Sequence, residues 1–228
     1  MDTKAYYDMN SGFFPLWEKV EPFTMTSIER GYSLYTAVEY LVRSGIDGDF
    51  IECGVWKGGS CMLMALSLLQ NHRNDRNLFL FDTFSGMTNP SEFDLIAHNE
   101  KPVTEKWDTF SSWTAGLEEV KRNLAGTGYP SSRLRFIPGD VAETLPDHAP
   151  KNPALIRLDT DWYESTKIEL ELLFPRLVPG GVIIIDDYGH FTGARKAVDE
   201  YFENVELPIL FHRVDYTGRV AVKPGRIS

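Results

Sequence analysis

Six carboxylates dominate the chemistry open to this sequence. Glu52, Asp82, Asp140, Asp159, Asp186 and Asp187 each stand in, or just after, the C-terminal part of an apolar run that reads as a β-strand. One aspartate after a strand is usually a turn residue or a helix cap. Six at the same end of successive strands point to a single ligand-binding edge, because an open parallel sheet gathers its C-terminal strand ends along one crevice. Two runs carry doubled acids, Asp159 with Asp161 and Asp186 with Asp187. If those strands are neighbours, the four carboxylates cannot all stay ionised unless a cation joins them. Hard oxygen ligands with open coordination positions suit Mg²⁺, with Mn²⁺ or Ca²⁺ as alternatives, and no histidine pattern favours zinc. The competing expectation has Asp159 and Asp161 capping a helix that begins near Glu164, and Asp186-Asp187 in a solvated turn. His190 follows closely and is a second candidate base or substrate contact.

A glycine loop, Glu52-Cys53-Gly54-Val55-Trp56-Lys57-Gly58-Gly59-Ser60, follows the first strand of the sheet and opens a helix. The dinucleotide fingerprint needs a glycine two residues after the first, so that the backbone can approach a pyrophosphate. Trp56 occupies that position, which suits a ligand without phosphates. The phosphate-binding GK[ST] pattern is also absent, since Lys57 precedes the paired glycines. Cys53 and Cys61 are too few for a disulfide framework, and no CxxC pair suggests zinc or redox work.

Positioning these groups requires strands that alternate with helices. Apolar runs at Phe50–Val55, Leu78–Asp82, Leu134–Ile137, Ala154–Asp159 and Val182–Asp187 do so, which implies a Rossmann-like, doubly wound α/β sheet, mostly parallel and seven-stranded, with helices on both faces. The last two strands, around Ile209–Val214 and Arg219–Val222, flank Tyr216-Thr217-Gly218 and read as an antiparallel hairpin. Thr26-Ser27-Ile28-Glu29 is a capping-box pattern that starts a helix closed by Gly45. Residues 1–24 form an aromatic, proline-containing arm expected to pack on this domain or on a second subunit, which suggests a homo-oligomer. Residues 25–228 form one domain. A long connection at about 85–112 is expected to be a lid over the ligand, with Phe110 or Trp113 against one side of it.

The chain has 228 residues, with 33 acidic against 23 basic side chains, a net charge of −10. That balance repels phosphate backbones and argues against a nucleic-acid partner. The sequence shows neither a secretory signal pattern nor an apolar run long enough to span a membrane, so a cytoplasmic enzyme acting on a small molecule is expected.

The spacing E-x-G-x-x-x-G-x-S resembles motif I of the class I methyltransferases, which bind S-adenosylmethionine. Further segments carry a narrower likeness: Phe81-Asp82-Thr83-Phe84-Ser85-Gly86-Met87, Phe136-Ile137-Pro138-Gly139-Asp140, Arg157-Leu158-Asp159-Thr160-Asp161-Trp162-Tyr163-Glu164-Ser165-Thr166 and Asp186-Asp187-Tyr188-Gly189-His190. Together these resemble the macrocin O-methyltransferase (TylF-like) family, metal-dependent enzymes that methylate hydroxyls on sugars or phenols of natural products. The resemblance implies a donor site built from Met25, Thr26, Glu52, Gly54, Gly58, Ser60, Asp82, Thr83, Asp140 and Asp159. Within it, Asp82 takes the ribose hydroxyls and Asp140 lies beside the adenine. The resemblance also implies a metal held by Asp159, Asp186 and Asp187, with Asp161 as general base. Thr160 stands where the family often has glycine, and Trp162 where it often has leucine. The leading expectation is therefore O-methylation of a sugar, glycoside or phenol hydroxyl. A nucleotide-dependent oxidoreductase on the same sheet and a non-catalytic binding protein are the alternatives.

Overall fold

Alternation with a period of two runs through the strands and decides which layer each side chain enters. In β1 (Asp49–Cys53), Phe50 enters one apolar layer while Ile51 and Cys53 enter the other. The same split separates Leu80 from Phe81 in β2 (Leu78–Asp82), Leu134 from Ile137 in β5 (Leu134–Pro138), Leu155 from Ile156 in β6 (Pro153–Leu158) and Ile184 from Ile185 in β7 (Val182–Ile185). The computed structural model describes residues 6–225. With β8 (His212–Arg213) and β9 (Arg219–Val222), these strands form one seven-stranded sheet of order β5-β2-β1-β6-β7-β9-β8. Its pairings are parallel except where β9 meets β7 and β8. The chain leaves β1 toward β2 and β5, then returns to the other side of β1 for β6 and β7. The switch point, where such sheets bind ligands, therefore lies between the ends of β1 and β6.

Helices α1 (Phe14–Val20), α2 (Ile28–Arg43), α3 (Gly59–Gln70) and α5 (Leu117–Ala125) cover one face. Helices α6 (Val141–His148), α7 (Tyr163–Leu173) and α8 (Thr192–Glu203) cover the other. No helix among the described residues is long and apolar enough to cross a membrane.

Four local expectations are corrected or refined. Helix α2 is capped by Ser27, whose hydroxyl accepts from the Arg30 amide at 3.2 Å, and not by Thr26. The paired part of the hairpin shortens to His212–Arg213, since Leu210 is exposed and lacks a layer to pack on. Between Ser85 and Ser112 the chain is built and not structureless. It forms a two-stranded ribbon of β3 (Leu95–Ile96) and β4 (Lys101–Pro102), a 3₁₀ turn and the single-turn helix α4 (Trp107–Phe110). Its Ile96, Val103 and Phe110 pack with Trp162, Phe191 and Ala194 in a separate apolar cluster, so Phe110 is buried there and only Trp113 reaches the cleft. Finally, Phe13, Trp17 and Val20 of the arm lie buried in the chain's own core, and Gly31 of α2 makes room for them: a Cβ there would sit 2.3 Å from the Trp17 ring. Residues 1–5 of the expected arm and 226–228 of the expected domain lie outside the described residues.

Candidate active site

The glycine loop is shaped by contact with the neighbouring strand end. Gly54 has φ +81°, and a Cβ on it would lie 2.0 Å from the Asp159 carbonyl oxygen, so only glycine lets β1 and β6 close at the switch point. Trp56, Phe84 and Asp161 follow β1, β2 and β6, and all three adopt positive φ without being glycine. Such conformations carry an energetic cost and cluster where geometry is over-determined, as at binding sites. The Asp82 carboxylate is fixed by three backbone amides, those of Val55 (2.6 Å), Trp56 (3.1 Å) and Phe84 (2.7 Å). Asp140 caps α6 through the Ala142 amide at 2.8 Å.

A cleft of about 270 Å³ opens over these strand ends. Met25, Thr26, Glu52, Gly54, Ser60, Asp82, Thr83 and Asp140 line one part of it, and Asp159, Asp161, Asp186, Asp187 and His190 line the other. The N-terminal segment completes the first part: a Cβ on Gly59 would lie 2.6 Å from the Phe23 carbonyl, which places Phe23–Thr26 directly over the loop. Gly58 is the one predicted donor residue that does not line the cleft. It heads α3 at φ +90°, and its missing Cβ leaves space for Leu124 and Val120 of α5.

The acids converge as expected. One carboxylate oxygen from each of Asp159, Asp186 and Asp187 lies within 4.8 Å of the other two. None of them caps α7, whose N-cap position, Trp162, offers no side-chain acceptor. Their charge is partly met by two arginines with no role assigned from the sequence. Arg157, 3% exposed, bridges Glu52, Asp159 (2.6 Å) and Asp186 (2.6 Å). Arg30 pairs with Asp186 and, at 3.1 Å, with Asp215 in the hairpin turn. Burial works against ionised Arg157, but Asp159, Asp186 and Glu52 together hold its pKa well above the ordinary value. The sequence did carry a signal for Arg157: a lone arginine inside a fully buried parallel strand demands facing acids, and Glu52 is its register partner on β1.

The two arginines do not saturate the cluster. Burial, then mutual repulsion, raises the pKa of Asp159 and Asp187 well above the carboxylate range, although Arg157 and Arg30 oppose the shift. One buried oxygen of Asp187, Oδ2, has no hydrogen-bond partner among the described residues. Three converging hard oxygen donors, one of them orphaned, fit a hard divalent cation. Asp161 lines the same space, and burial followed by the Asp159 charge raises its pKa too. His190 is shifted the other way, first by burial and then by His98 and Arg30, and its Nδ1 lies 3.2 Å from the Tyr216 hydroxyl.

Glu169 of α7 is fully buried beneath this turn. The Thr160 hydroxyl donates to its Oε1 at 2.9 Å, and Oε2 has no partner. A glycine at position 160 could not supply that bond. Burial pushes the Glu169 carboxyl from 4.5 up to about 8. The folded chain thus holds a proton there that the unfolded chain releases, so this contribution is complete below the unfolded value and is lost as pH rises through about 8. The expected result is a stability that declines over that window, at up to about 1.4 kcal/mol per pH unit. Glu169→Gln should flatten the decline, which urea denaturation at a series of pH values will read directly.

The comparisons with known proteins agree with this geometry. The family described as Macrocin-O-methyltransferase (TylF) matches residues 17–222. The chain belongs to the TylF macrocin O-methyltransferase family. Among its relatives, the 8-demethyl-8-(2,3-dimethoxy-alpha-L-rhamnosyl)-tetracenomycin-C 4'-O-methyltransferase of Streptomyces olivaceus is 35% identical over 195 residues, 86% of this chain and 73% of that protein. The mycinamicin III 3''-O-methyltransferase of Micromonospora griseorubida is 33% identical over 178 residues, 78% and 69% of the two chains. The solved structure of the O-methyltransferase NovP superposes with a TM-score of 0.80 at 30% identity, covering 89% of this chain and 83% of that one. The calicheamicin methyltransferase CalS11 shares the fold, with a TM-score of 0.70 at 19% identity. This TylF-family chain is accordingly an O-methyltransferase.

Proposed function

We propose that this TylF-family enzyme transfers the methyl group of S-adenosylmethionine to a hydroxyl of a sugar or glycoside, with a divalent metal held by Asp159, Asp186 and Asp187. The observation that carries the reading is the position of those three carboxylates, within 4.8 Å of one another in the same cleft as the glycine loop. Asp82, clamped by its three amides, presents its remaining lone pairs to a diol such as a ribose. Trp56 in the loop disfavours a diphosphate and hence the oxidoreductase alternative. The Streptomyces olivaceus relative is named for methylating a rhamnosyl compound, which supports an acceptor of that class.

The residues divide the work by charge. A neutral sugar hydroxyl attacks a sulfonium methyl poorly, so its proton must leave. Asp161, with its raised proton affinity and its place on the cleft wall, is the acceptor for that proton. A bound Mg²⁺ would lower the hydroxyl's pKa as a Lewis acid and fix its orientation. Arg157 and Arg30 hold the carboxylates in place. The acidic rim favours neutral or cationic acceptors over phosphorylated ones.

Calorimetric titration with S-adenosylmethionine and, separately, NAD is expected to give binding for the first only. Methyl transfer to mycinamicin III, the acceptor for which one relative is named, is expected to fall on addition of EDTA and return with excess Mg²⁺. Turnover indifferent to chelation would remove the metal from the proposal. Binding of NAD in place of the sulfonium would remove the reaction itself.

A further inference from the structure

One buried carboxylate near the cleft is used by none of this chemistry. Asp94 is 1% exposed and forms no ion pair among the described residues. Its Oδ1 accepts from the backbone amide of Tyr163 at 2.8 Å, and its Oδ2 accepts from the amide (2.6 Å) and hydroxyl (2.7 Å) of Ser91. Tyr163 is the first residue of α7, so Asp94 caps that helix from a distant part of the chain and supplies what Trp162 lacks. A carboxylate there is favoured both by the unpaired amides and by the helix dipole. The fit leaves no slack: a Cβ on Gly193 of α8 would lie 1.8 Å from Oδ1.

Bonds near Asp94 tie the 85–112 segment to the loops that carry the site, and one closes the segment on itself. The Leu95 amide donates to the Thr192 hydroxyl at 2.9 Å, and the Ala97 amide donates to the His190 carbonyl at 2.8 Å. Trp162 Nε1 donates to the Thr88 carbonyl at 2.9 Å, and the Val103 amide donates to the Asp94 carbonyl at 3.2 Å. Met87 and Thr88, at the start of this fastened stretch, line the cleft on the same side as His190.

We propose that Asp94 is a positioning residue that fastens residues 88–104 across the N-termini of α7 and α8, making them a standing wall of the acceptor side and not a lid. For the acceptor this rests on the methyl-transfer reading. For the wall itself it rests on the hydrogen bonds alone. The test is amide hydrogen exchange on the full-length chain, with and without S-adenosylmethionine, for wild type, Asp94→Ala and Asp94→Asn. Wild type should protect the Leu95, Ala97 and Val103 amides equally in both conditions. Asp94→Ala should speed their exchange about ten- to hundredfold, the factor expected when charge-assisted hydrogen bonds are lost. Asp94→Asn retains an oxygen for Tyr163 but not a second acceptor for Ser91, and should fall between.

Affinity for S-adenosylmethionine should be unchanged in both variants, while KM for mycinamicin III rises more than kcat falls. Three results would overturn the proposal: fast exchange already in wild type, protection that appears only with the donor bound, or exchange in Asp94→Ala equal to wild type. Equal losses of donor affinity and sheet protection in both variants would also overturn it, by showing support of the whole fold. If wild type transfers no methyl group, the reaction reading fails while the exchange experiment still decides the wall.

Discussion

Asp161→Asn is expected to lower methyl transfer about 10²- to 10⁴-fold, the usual worth of a positioned general base, while binding of S-adenosylmethionine stays close to wild type. The substitution isolates the proton-accepting role. Asparagine has the shape of aspartate and tolerates the positive φ of +70° found here, so the turn after β6 is preserved. The three proposed metal ligands are untouched. Alanine would confound the experiment by straining the backbone. His190→Ala is the control: its imidazole has lost proton affinity and is engaged with Tyr216, so its removal should cost less than removal of Asp161. Single-turnover kinetics with saturating donor separates chemistry from binding. Retained turnover in Asp161→Asn would take the base role away from that residue.

The second large effect concerns stability. Arg157→Met keeps an unbranched side chain in β6 but leaves Glu52, Asp159 and Asp186 without their shared counter-charge. Removing one partner from a buried ionic group typically costs about 3–5 kcal/mol, because the remaining charges stay desolvated and unpaired. For a chain of this size that corresponds to a melting temperature roughly 10 °C lower. Arg157→Lys preserves the charge but replaces a planar fork with a point donor, and should recover part of the loss. The defect of the methionine variant should shrink in mildly acidic buffer, where the orphaned acids take up protons. A melting curve for Arg157→Met matching wild type at neutral pH would mean that the arginine is not what stabilises this cluster.

Much of this site was legible because parallel strands announce themselves. Four apolar runs followed by acids placed Asp82, Asp140, Asp159, Asp186 and Asp187 on one edge, and the cleft gathers all of them. Arg157 and Arg30 escaped assignment because a sequence shows charges without showing which opposite charges they will meet. Register supplied that partner for Arg157, and the hairpin turn supplied Asp215 for Arg30. The 85–112 segment was illegible for a different reason. Two-residue strands and a one-turn helix are too short to display any period, and their order comes from bonds to Tyr163, Thr192 and Trp162, far away in the chain. The shift of the helix cap from Thr26 to Ser27 is the ordinary one-residue ambiguity of adjacent hydroxyls.

The pairing of Arg157 with Glu52 across β1 and β6 also bears on how the sheet assembles. Because side chains alternate faces, sliding β6 by a single residue would drive the guanidinium into the opposite layer, among Ile51, Ile183 and Leu170, with no acid to meet it. Apolar stretches alone tolerate such a slip, so this one polar contact acts as a proofreading mark for threading the middle of the sheet.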